Sequence, residues 1–153
     1  MITTFFSRIF LSLGTLLVLL SCSSDNSVIG DNSVEIRQIS DVAKSGTWRI
    51  TNYIDSGKNE TNDYAGYNFT FGDNGVLTAS NGSNTITGTW SVTNDNSSSS
   101  SNGIDFNISL SSPPNFEELS DEWDIVSSGA TKIDLIDISG GNGGTDTLTF
   151  EKN

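Results

Sequence analysis

The amino-acid sequence predicts an all-β protein, about eight antiparallel strands closed into a small barrel behind one short helix. Three observations point there. From Gly46 onward apolar residues recur at every second position, the pattern of strands that bury one face. Asn-Gly pairs and glycine-rich clusters divide those runs at short intervals. The chain is also rich in Gly, Asn, Ser and Thr while holding only 7 Lys and Arg, a balance suited to many turns and short strands. At 153 residues one compact domain is expected. The 19 Asp and Glu give a formal net charge of -12, which repels nucleic acid and anionic lipid headgroups, so no nucleic-acid partner is expected.

Residues 1–21 carry Arg8, an apolar run from Ile9 to Leu20 broken by Ser12, Gly14 and Thr15, and then Ser21. A basic start, a short greasy stretch and a small residue before the cut describe a secretory signal, too short to span a membrane comfortably. Cys22, the single cysteine, follows directly. An incidental cysteine behind an ordinary signal peptide is the alternative, but a lone Cys followed by Ser-Ser-Asp-Asn has no packing role. Leu19-Leu20-Ser21-Cys22 resembles the lipobox of bacterial lipoprotein precursors. The resemblance implies that Cys22 becomes the lipidated first residue of the mature chain, which makes the membrane a partner through that lipid. Asp25 is similar to the acidic signal that sends lipoproteins of Bacteroidetes-type bacteria outward, and the expected location is the cell envelope, at the outer membrane. Residues 22–33 are polar and turn-rich and read as a flexible tether ahead of a barrel domain over 34–153.

Within that domain, Val34 to Lys44 places Ile36, Ile39, Val42 and Ala43 at helical spacing. Trp48, Ile50 and Ile54 then alternate with polar residues, as do Tyr67, Phe69 and Phe71. Gly72-Asp73-Asn74-Gly75 and Asn81-Gly82-Ser83-Asn84 are expected hairpin turns. Ile86, Trp90 and Val92 continue the alternation, followed by a serine-rich loop over Asn94–Gly103 and by Ile104, Phe106, Ile108 and Leu110. Pro113-Pro114 breaks the pattern before a helical turn that Phe116 and Leu119 would line. Strands over Trp123–Ser127, Thr131–Ser139 and Thr145–Glu151 complete the count.

Gly46-Thr47-Trp48-Arg49-Ile50-Thr51 recurs as Gly88-Thr89-Trp90-Ser91-Val92-Thr93, which reads as two strands that begin at a glycine turn and insert a tryptophan into one core. Gly46-Thr47-Trp48, behind a helix and at the head of an eight-strand array, resembles the Gly-x-Trp signature of lipocalins. Together with the lipobox and the ending Leu148-Thr149-Phe150-Glu151-Lys152, the chain is similar to the lipocalin-like lipoproteins of Bacteroidetes-type bacteria over roughly residues 35–153. The resemblance implies that Trp48 plugs one barrel end. The sequence departs from the lipocalin pattern in having no arginine near the last strand, where Lys152 is the basic residue, and no long carboxy-terminal helix.

Little catalytic chemistry is on offer. The chain has no histidine, its cysteine is expected to be acylated, and no Ser or Thr sits in a nucleophile motif, so neither an enzyme nor a cofactor is expected. Glu117, Glu118, Asp121, Glu122 and Asp124 form an acidic run that reads as a solvated face. Gly140-Gly141-Asn142-Gly143-Gly144-Thr145-Asp146 is close to a calcium-binding nonapeptide, but its aspartate falls one place late and the motif occurs once. It reads as a flexible connection, and no metal is expected. Asp146-Thr147-Leu148 looks like a bacterial O-glycosylation sequence with Thr147 as acceptor.

Binding remains. The residues expected to point inward are Trp48, Tyr67, Phe69, Phe71, Trp90, Phe106, Trp123 and Phe150, with Ile50, Ile86, Val92, Ile104, Ile108, Ile125, Ile133, Leu135 and Leu148. Fully burying each is worth roughly 1.5–3 kcal/mol, enough for a stable core without a ligand. The expected function is capture of a small apolar or amphipathic ligand at a barrel end, with Trp48, Trp90, Trp123, Tyr67, Phe69 and Phe106 as barrel-end and core candidates. The alternative is a non-catalytic structural or protein-interaction module with a filled core, acting through the loops Asn94–Gly103 and Ser139–Thr145.

Overall fold

The computed structural model describes residues 32–95, 103–139 and 144–153. The signal segment, Cys22, most of the tether, the middle of the serine loop and Gly140 to Gly143 lie outside the described residues. Helix α1 spans Ser33–Lys44. The strands are β1 Thr47–Asp55, β2 Lys58–Asn59, β3 Asn68–Phe71, β4 Val76–Ser80, β5 Thr85–Asn94, β6 Ile104–Ser109, β7 Asp121–Ser128, β8 Lys132–Ile138 and β9 Thr145–Lys152. A 3-10 turn, Thr61–Tyr64, follows β2, and a short helix α2, Pro114–Glu117, lies between β6 and β7.

All pairings are antiparallel, in the order β2-β1-β3-β4-β5-β6-β7-β8-β9. β9 then returns to β1, with Trp48 opposite Lys152 and Ile50 opposite Phe150. Eight strands therefore close into a lipocalin-like barrel, and β2 is a two-residue appendage on the far end of β1. The Ser56-Gly57 turn that joins β1 to β2 has both residues at positive φ, 47° and 84°, as a tight hairpin of this hand requires.

The alternating pattern built the strands as expected, with one correction. A bulge in β1 between Ile50 and Asn52 shifts its register against β9, so the parity of the strand flips. Tyr53 faces the core and Ile54 is only half-buried, although plain alternation from Trp48 put Ile54 inward. The repeated Gly-Thr-Trp also needs correcting. Gly88 lies inside β5 rather than at a turn, and a Cβ there would sit 2.1 Å from the Ser109 carbonyl oxygen. Its glycine permits a close backbone approach where the chain leaves β6.

Helix α1 crosses one end of the barrel with Ile39 and Ala43 buried beneath it. The Trp48 indole donates to the Ala43 carbonyl over 2.7 Å, so the plug implied by the lipocalin resemblance is tied to the helix that covers it. At the opposite end the segment from Asp55 to Tyr67 and the α2 connection fold inward together. Tyr53, Tyr64, Phe116 and Leu119 are buried there, each no more than 1% exposed.

Candidate functional site

The six aromatic candidates divide between core and rim. Trp48, Phe69, Phe106 and Trp123 are essentially buried, and Trp90 is 7% exposed. Tyr67 is half-buried just ahead of β3, with its ring 4.9 Å from that of Phe116. Ile86, also expected inward, is only partly buried against the core.

Ring contacts run the length of the interior. Near α1, Trp90, Phe71 and Phe106 meet at centroid distances of 5.2–5.8 Å. Phe150 joins Phe71 to Phe69, which stacks on Phe116. Phe116 then meets Tyr64, Tyr64 meets Tyr53, and Tyr53 meets Trp123. Most are edge-to-face, the arrangement that aromatic quadrupoles favour. The volume that a transport barrel would leave for a ligand is occupied by side chains.

Polar groups at this plug are bonded with care. The Tyr53 hydroxyl donates to the Glu118 carbonyl at 2.8 Å, the Tyr64 hydroxyl to the Asn115 carbonyl at 2.5 Å, and the Trp123 indole to the Leu119 carbonyl at 3.1 Å. Three donors rising from the barrel thus hold the α2 connection down. Burial, reinforced by surrounding carboxylates, pushes both phenols well above the ordinary tyrosine range, so they remain protonated donors.

At the rim of this mouth, carboxylate oxygens from Asp55, Glu60 and Glu118 lie within 4.8 Å of one another. Glu60 is 8% exposed, and its Oε1 pairs with the Lys58 ammonium. That pairing holds the Glu60 carboxyl below its ordinary range, whereas burial and the neighbouring Glu60 raise Glu118. Glu60 Oε2 is buried and no N–H or hydroxyl among the described residues reaches it, while the Glu60 side chain also shares a carboxyl–carboxyl hydrogen bond with Glu118. The acidic run expected on one solvated face is therefore split. Glu118 turns to the mouth, and Asp121, Glu122 and Asp124 lie along β7. There Asp105, across the pairing from Asp124, is pushed up to about 6 by burial and by the charges of Asp95, Glu122 and Asp124. Asp121 and Asp124 are raised as well, again chiefly by burial.

Sequence reasoning missed Tyr64 and Glu60. Both lie in Glu60-Thr61-Asn62-Asp63-Tyr64, which has no alternation, and the one signal was an aromatic among polar neighbours. The aspartate of the glycine loop has a structural job, since the Asp146 carboxylate accepts the Ser56 backbone N–H at 2.6 Å. Thr147 lies in β9, paired on both sides, and its hydroxyl accepts from the Asn52 amide at 3.0 Å.

Depressions mark the surface as well, among them one of about 470 Å³ lined by Gln38, Asp41, Val42, Ser45, Ala130 and Lys152, and two more. One of about 540 Å³ lies on the outer wall across β5, β6 and β7, floored by small polar residues such as Ser91, Asn107 and Ser109 and edged by Asp121 and Glu122. The other, about 400 Å³, runs between α1 and the β7–β8 turn, where Ile39, Val42, Ile125 and Val126 meet Glu35 and Gln38.

No protein-family model matches the chain, and neither does any curated protein. Among solved structures, a DUF4847 family protein from Bacteroides vulgatus is similar with a TM-score of 0.47 and 18% identity, over 75% of this chain and 97% of that one. Among the described residues no helix is long and apolar enough to cross a membrane.

Proposed function

We propose that this is a lipid-anchored, extracytoplasmic and non-catalytic lipocalin-like module that acts through its outer surface and loops rather than through a chamber. The observation that carries this reading is the continuous aromatic filling from Trp90 to Trp123, with α1 over one end and the α2 connection over the other. Anchoring is supported by the lone Cys22 behind its apolar run, and the polar residues that follow give the barrel reach from a lipid surface. A basic protein suits the outer wall best, because beyond the effect of burial the neighbouring carboxylates also raise Asp105, Asp121 and Asp124, and a cationic partner offsets that repulsion.

Native mass spectrometry of the protein extracted from its own membrane tests this directly. The expected mass is the processed chain plus the acyl groups on Cys22, with no further small molecule, and Cys22→Ser should abolish incorporation of labelled fatty acid. A second reading, capture of a small apolar or amphipathic ligand at a barrel end, is favoured by the partly apolar depression beside α1. A stoichiometric apolar compound in the spectrum, lost on Val42→Asp, would establish that reading in place of the first.

A further inference from the structure

Three carboxylates meet at the mouth from segments that the sequence keeps apart: Asp55 ends β1, Glu60 precedes the 3-10 turn, and Glu118 follows α2. Lys58 is the cation paired there, on a side chain 78% exposed, while the Glu60 side chain is 7% exposed. A buried carboxylate oxygen without a donor is costly, and native proteins seldom leave one so. The surroundings of Glu118 are also fixed in place, because the Tyr53 and Tyr64 hydroxyls pin the carbonyls of Glu118 and Asn115. The cluster is held together by the fold rather than drifting in solvent.

We propose that Asp55, Glu60 and Glu118 form a calcium site, and that the bound ion ties the connection after β1 to the connection after β6 across the barrel mouth. All three supply hard oxygen donors. Oxygens on opposite sides of a calcium ion stand roughly 4.6–5.2 Å apart, so a set already within 4.8 Å needs little rearrangement. Three carboxylates against one lysine leave an excess of negative charge that a divalent ion matches, and Glu60 Oε2, which no N–H or hydroxyl among the described residues reaches, gains a cation. The exposed Lys58 arm is free to swing outward as the ion enters. This goes beyond the module reading above and stands independently of it.

Terbium serves as the calcium probe, because the rings of Tyr53 and Tyr64 beside the site can sensitise its luminescence. The full chain, stripped with a chelator and then titrated, should bind about one terbium ion that calcium competes away. Glu118→Gln, at an exposed position and so compatible with folding, should weaken binding about tenfold or more with the circular dichroism spectrum unchanged. Absence of sensitised luminescence from the folded wild type, or wild-type affinity in E118Q, overturns the assignment. So does a signal that survives E118Q and vanishes in D146N, which would put the ion in the glycine loop.

Discussion

The two ends of the barrel solve one geometric problem with different chemistry. At the helix end, Trp48 enters an apolar seat under Ile39 and Ala43, its indole N–H is satisfied by a helix carbonyl, and Lys152 lies 5.7 Å from its ring centroid. That lysine also donates to the Ser45 hydroxyl at 2.9 Å. At the mouth, closure depends on phenol hydroxyls reaching backbone carbonyls of a connection that has only one helical turn of its own, beside carboxylates that repel each other. One end is closed by burial, with the plugging indole paired. The other is closed by directed hydrogen bonds next to a carboxylate cluster in which one buried oxygen, Glu60 Oε2, receives no N–H or hydroxyl among the described residues. The first should be insensitive to solution conditions and the second responsive to them.

Substitution at the two ends tests this contrast. Trp48→Ala should have the largest effect, a loss of about 3–5 kcal/mol from the removed bulk and the cavity left behind, read as a lower urea midpoint. A loss under about 1 kcal/mol would mean that α1 does not seal that end. Asp105, the second residue of β6 and part of the barrel wall between Thr93 and Asp124 rather than of either closure, comes next. Its folded pKa of about 6 exceeds the ordinary 3.8, so the folded form holds the extra proton between those values. Stability from this group is complete below the lower value and is lost as pH rises through the upper one. Asp105→Asn should flatten that slope and add about 1–2 kcal/mol near neutral pH, checked by urea melts at two pH values. An unchanged pH profile would show Asp105 to be solvated.

At the mouth, Tyr53→Phe and Tyr64→Phe each delete one hydroxyl-to-carbonyl bond and should cost about 1 kcal/mol apiece. Hydrogen exchange should report faster opening of the α2 connection in both, with the strands unaffected. Uniform acceleration over the whole barrel would make the mouth part of the global unit and erase the contrast. Lys152→Met should have the smallest effect, about 0.5–1 kcal/mol, since an exposed cation over an indole contributes little. Trp48 emission would register the altered contact.

How much of this could be read beforehand follows from where the information lies. β5 and β6 are legible because Trp90, Val92, Phe106 and Ile108 each repeat a local period. The helix end is legible because Ile39, Ala43 and Trp48 lie close together in the chain. The β1 bulge is not, since it is defined only against β9 and no local pattern marks that Asn52 will slip. The mouth is least legible. Phe116 and Leu119 announced a buried turn, but their partners Tyr53 and Tyr64 lie far upstream, and the hydrogen bond from Tyr64 to Asn115 spans 51 positions of the chain. Glu118 looked like one of several solvated acids because nothing near it in the chain mentions Glu60.

The seam between β1 and β9 joins positions 102 apart, as at Arg49 and Glu151. During synthesis, the first strand waits with one flank bare until the last strand emerges. A product truncated before Thr145 would carry two adhesive flanks, on β1 and β8, and should stack with its own kind rather than remain dispersed.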